Sequence, residues 1–155
     1  MKKFYVLVFI ILVIFTGCEN KKEELKNEYL TMKSDLLKNS NFSSLDELPC
    51  DIEVNIDRVD EEIVSYEVEI FNCRENMNNV KAILIHNYYS EDVFPSLGLF
   101  DKSINLVKDD NNSFSLKGDI KTSSDIDNLD LVLKLYIKYF DDNGMEKDIY
   151  YKATK

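Results

Sequence analysis

From Cys50 to the end of the chain, apolar residues fall on every second position, the period of half-buried strands. Ile52, Val54 and Ile56 alternate with Glu53, Asn55 and Asp57. After a turn at Asp60-Glu61, Val64, Tyr66, Val68 and Ile70 alternate with Ser65, Glu67 and Glu69, so the two runs predict a hairpin. Residues 80–85 are nearly continuously apolar, as a central strand covered on both faces would be. Residues 97–106 and 114–120 are weaker strand candidates. The strongest run is 129–140, with Leu129, Leu131, Leu133, Leu135, Ile137 and Tyr139 on one face.

The register of the last hairpin follows from the same alternation. The final strand puts Ile149, Tyr151 and Ala153 on one face, and these must meet Ile137, Leu135 and Leu133. A two-residue Asn143-Gly144 turn would set Ile137 opposite Tyr150, with the wrong face inward. A three-residue loop, Asp142-Asn143-Gly144, pairs Ile137 with Ile149 and Leu135 with Tyr151; it needs a left-handed residue, which Gly144 can supply.

Before Cys50 the period is helical. Leu25, Tyr29, Met32 and Leu36 recur at spacings of four and three among Lys, Glu, Asn and Asp, predicting one amphipathic helix over 20–39. Its polar face mixes acids with lysines, unlike a helix that lies on a membrane, so packing on the domain or spacing it from an anchor is favoured. Ser44 and Glu47 have capping-box spacing and could start one short turn before Pro49 stops it. The expected architecture is mainly β: an immunoglobulin-like two-sheet sandwich over 50–155, preceded by this α-helix.

The first residues carry an address. Met1-Lys2-Lys3 is followed by an apolar run over 4–15 and then by Thr16-Gly17-Cys18. The run falls short of the ~20 residues that a spanning helix needs, and fits a cleavable export signal. Small residues before the boundary suit a peptidase, and the Cys18 thiol can be acylated. The segment resembles the signal and lipobox of bacterial lipoproteins, with Phe15 where leucine is usual. The resemblance implies a signal peptide over 1–17, a lipidated Cys18 opening an anchor, helix and linker over 18–49, and a mature protein held on the extracytoplasmic face of the cell membrane.

Charge narrows the partners. The chain has 19 basic and 29 acidic side chains; residues 1–17 hold two lysines and no acids, which leaves the mature part 17 against 29, a net charge of −12. Such a balance is repelled by phosphates, which excludes nucleic acid as an expected partner and favours a cationic protein or peptide. It also keeps an exported protein soluble. No phosphate-cradling glycine loop or CxxC pair is present, and no cofactor is implied.

With Cys18 assigned to lipid, Cys50 and Cys73 form an even pair in an exported chain, open to a disulfide or to two buried thiols. Alternation places Cys50 on the core face with Ile52, Val54 and Ile56, and Cys73 on the opposite face with Phe71. Opposite faces do not bridge without a bulge.

His86, the one histidine, follows the central strand, with Glu91 and Asp92 close behind; a His with an acid partner can move protons. Asp125, Asp127 and Asp130 are weak candidates for calcium, which takes six to eight oxygens, and Asp125-Ile126-Asp127-Asn128 lacks the glycine and distal glutamate of an EF-hand loop. Tyr88, Tyr89 and Phe94 crowd the loop after His86, where aromatics can anchor a peptide or glycan or fold back to cap the sandwich. Ile83, Ile85 and Phe140 point outward and could meet a second copy.

Two stretches, Met77-Asn78-Asn79-Val80-Lys81-Ala82 and Asp92-Val93-Phe94-Pro95-Ser96-Leu97-Gly98-Leu99-Phe100-Asp101, are similar to small uncharacterised lipoproteins of Gram-positive bacteria. That resemblance implies an anchored extracytoplasmic domain and transfers no residue role. The expected function is a non-catalytic binding module using Tyr88, Tyr89, Phe94 and His86; the alternative is a small envelope hydrolase built on His86 or a calcium-assisted site.

Overall fold

The structure is a computed structural model and describes residues 23–90 and 93–155. Among the described residues, eight strands follow one helix: α1 over 23–38, then β1 (Asp51–Arg58), β2 (Ile63–Phe71), β3 (Met77–His86), β4 (Ser96–Leu97), β5 (Ile104–Leu106), β6 (Phe114–Lys121), β7 (Val132–Phe140) and β8 (Glu146–Thr154). All strand pairs are antiparallel. One sheet has the order β1-β2-β6, and the other β4-β3-β7-β8 with β5 also on β3. The connections β2–β3, β5–β6 and β6–β7 pass from sheet to sheet, which gives the two-layer, immunoglobulin-like sandwich expected from the strand periods.

The period-two pattern sets which face turns inward. Val64, Tyr66, Val68 and Ile70 of β2 meet Ala82 and Leu84 of β3 and Leu133, Leu135 and Ile137 of β7 in one core. The last hairpin has the expected register, Ile137 opposite Ile149 and Leu135 opposite Tyr151. Gly144 sits at φ +75°, and Asp141 ties the loop by accepting the Asn143 and Met145 amides on Oδ1, each at 2.9 Å.

A second apolar layer lies outside the larger sheet. Tyr29, Met32 and Leu36 of α1 pack on Ile83, Ile85, Leu99 and Tyr136, so β3 is covered on both faces. Glu28 and Lys81 join helix to sheet at 2.6 Å. Ile83 and Ile85 are therefore buried by the chain's own helix and do not form a surface for a second copy; of the two roles the sequence favours for that helix, packing on the domain is the one it takes. Ser44 donates its amide to the Glu47 carboxylate at 3.0 Å, opening the short turn Leu45–Glu47 before Pro49.

Two departures from the sequence reading have local causes. The expected strand over 97–106 is split into β4 and β5, because Gly98 at φ +71° turns the chain outward and donates its amide to Asp101 at 2.6 Å. Cys73 faces the core and not the outer surface. Asn72 at φ +49° inserts one extra residue between the Asp51–Phe71 pair and the Arg74 amide, which bonds to the Pro49 carbonyl at 2.7 Å. Residues 72 and 73 thus oppose Cys50 alone, a bulge that turns the alternation by one position.

Candidate functional site

The far end of β3 carries the aromatic loop, and the core alternation of that strand turns His86 inward toward β2. Its ring lies edge-on to Tyr66 at 5.5 Å and to Phe94 at 5.0 Å. Opposite Tyr66, β6 has Gly118, where any Cβ would lie 2.6 Å from the Tyr66 Cζ. Glycine is therefore required for the phenol to cross the strand. Tyr66, His86, Ser90, Phe94, Lys117 and Asp119 line a cleft of about 290 Å³ at this end.

Burial acts on the two ionisable groups in the floor of the cleft. Burial lowers the His86 pKa, with the Tyr88 backbone opposing the shift, so the imidazole is neutral near pH 7. Burial, with Asp119 adding to it, raises the Tyr66 phenol well above its ordinary value. Lys117 at the rim is paired with Glu67 at 2.9 Å. Among the described residues, His86 Nδ1 is buried with no hydrogen-bond partner. The acids expected to partner it, Glu91 and Asp92, lie outside the described residues. Asp119 was not suggested by spacing, since it arrives from a strand over thirty positions away; the one local signal was a glycine within an alternating strand.

The three loop aromatics are divided among different surroundings. Tyr88 packs on the inner core, while Phe94 packs on the outer layer, donating its amide to the Tyr29 hydroxyl at 2.9 Å and receiving the Lys33 ammonium 4.7 Å from its ring centroid. Tyr89 is 85% exposed and Val93 65%. The structure thus brings His86 and Phe94 together, buries most of Tyr88 elsewhere, and presents Tyr89 to solvent.

The acidic candidates serve as turn residues. Asp125 precedes the turn Ile126–Asn128 and accepts the Asn128 amide on its carbonyl at 3.0 Å; the Asp130 carbonyl accepts from the Asn87 side chain at 2.9 Å. The Asp125, Asp127 and Asp130 side chains are exposed, and among the described residues no three His, Cys, Asp or Glu side chains converge to hold a metal ion.

Cys50 and Cys73 are both buried free thiols in one core. Burial pushes the Cys50 thiol up to about 12, with the neighbouring Cys73 as the second cause, and burial raises Cys73 as well. Cys18 lies outside the described residues. No helix among the described residues is long and apolar enough to cross a membrane. The chain matches no protein-family model, and neither the curated proteins nor the solved structures contain a significant match to it.

Proposed function

We propose that this chain is a lipid-anchored, extracytoplasmic, non-catalytic interaction module that captures a cationic protein or peptide with the loop beyond β3. The observation that carries the reading is the division of that loop: Tyr88 and Phe94 are held by the two apolar layers, while Tyr89 and Val93 project between these anchors. A large aromatic held out on an anchored loop contributes contact area with little side-chain entropy to lose, which is the character of a binding hot spot. The net negative charge of the chain favours a partner of the opposite sign. The hydrolase reading has weaker support, because among the described residues His86 packs between two aromatic rings and no nucleophile or acid is paired with its Nδ1.

The test is crosslinking and recovery of the parent and Tyr89→Ala from their own membranes, with the mass of the mature N-terminus read from the same material. The expected result is an acylated Cys18, an unchanged melting curve, and loss in the variant of partners held by the parent. Retention of every partner by Tyr89→Ala removes the loop from recognition. A free amine at Glu19 or beyond, with no acylated cysteine, removes the anchor.

A further inference from the structure

Cys50 immediately precedes β1 and Cys73 follows β2, and these two strands pair in register up to Asp51 opposite Phe71. Beyond that pair the bulge at Asn72 rotates Cys73 onto the core side, so that the two cysteines lie in the same core on neighbouring strands, with relative exposures of 0% and 2%. The backbone there is fixed from outside. The Arg74 amide bonds to the Pro49 carbonyl at 2.7 Å; its guanidinium reaches the Leu48 carbonyl at 2.8 Å and the Asp51 carboxylate at 2.7 Å, and the Asn72 side chain donates to Asp51 at 3.1 Å. A disulfide needs Cβ atoms about 3.5–4.5 Å apart, and Cys73 is near enough to Cys50 to act on its thiol.

We propose that Cys50 and Cys73 form a structural cross-strand disulfide as the chain folds in an oxidising compartment, with a small-molecule or protein disulfide as the oxidant. In the unfolded chain both thiols are exposed and reactive. One thiolate attacks a sulfur of the oxidant, forming a mixed disulfide and releasing one reduced thiol; the second cysteine then attacks the chain's own sulfur in that bond and releases the other. Two protein thiols lose two electrons and two protons, and the oxidant is reduced to two thiols. Once made, the bond is shut off from reductants by the packing that buries Cys50 completely. The bond ties the edge strand β1 at its start, where the ladder with β2 ends.

The sequence supplies a direct assay, because trypsin separates the two cysteines into peptides 39–58 and 59–74. The full chain is unfolded and reduced, refolded in glutathione redox buffer, alkylated, and digested without reduction. The expected product is peptide 39–58 joined to 59–74, with two hydrogens lost and the link abolished by reductant. Folded protein with both peptides alkylated, or with either cysteine joined to Cys18 or to another molecule, overturns the proposal. The linked form should melt on the order of 10 °C higher than the reduced form. A bond that lowers the melting temperature is not native, and also overturns it. Refolding purified chain in a defined buffer makes the result independent of whether the loop captures a partner or Cys18 carries lipid.

Discussion

Gly144 at φ +75° and Asn72 at φ +49° both hold a left-handed backbone, yet only the first is legible in the sequence. Gly144 lies between two strongly alternating runs whose faces must match, and one loop length satisfies both. Asn72 lies at the end of an alternation with no second run to check it, so the extra residue, and with it the inward turn of Cys73, was hidden. His86 falls between these cases. Its face was set by the alternation of β3, but its packing between Tyr66 and Phe94 depends on Gly118 in a distant strand. The lowered pKa of His86 in the fold means that the unfolded chain binds more protons between that value and about 6.5. Stability contributed by the neutral ring is full above about pH 6.5 and falls as pH drops toward the folded value. Urea midpoints at pH 7.5 and 5.5 should therefore differ more in the parent than in His86→Phe, which keeps an aromatic ring in the same place. Equal differences in the two proteins would place the titrating group elsewhere.

At the scale of elements, the long strands and the helix were legible, because each presents one apolar face over many residues. The short ones were not. β4 and β5 have two and three residues and are fixed by a glycine that turns the chain out of line, so their pattern in sequence merges into one weak run. The helix period named Tyr29, Met32 and Leu36, and the mixed polar face favoured packing on the domain or spacing it from an anchor without deciding between them. The structure docks them on Ile83, Ile85 and Tyr136. Neighbouring leucines make this testable: Leu36 is 0% exposed and Leu37 is 57% exposed. Leu36→Ala should destabilise by about 2–4 kcal/mol, the usual cost of removing a buried leucine, while Leu37→Ala should change stability by less than about 0.5 kcal/mol. Urea denaturation of the two variants checks the contrast; similar small effects in both would mean that α1 is not docked in solution.

Across the whole molecule the two sheets differ in what covers them. The larger sheet is faced by α1, whereas among the described residues nothing packs over the outer side of β1-β2-β6, where Glu53, Asp57, Glu67, Glu69 and Asp119 stand beside Lys117 and Lys121. Composition announced the excess of acid but not its placement, which depends on which faces the strands turn outward, and a partner cannot be read from charge without that geometry. The pairing register puts Glu53 directly opposite Glu69, and among the described residues neither is in an ion pair. Like charges at opposed positions repel, and the neighbouring acids add to the field. Glu53→Lys converts the repulsion into attraction on an edge strand, where lysine also discourages pairing with another chain. It should raise stability by roughly 0.5–1 kcal/mol at low salt. Moving from 0.05 M to about 0.5 M salt shortens the Debye length to a few ångströms, so the same screening should stabilise the parent more than the variant. Denaturation midpoints of both proteins at the two salt concentrations decide it. If the substitution gives no gain and the parent is indifferent to salt, the Glu53–Glu69 contact carries no repulsion, and the open face is held by its strands alone.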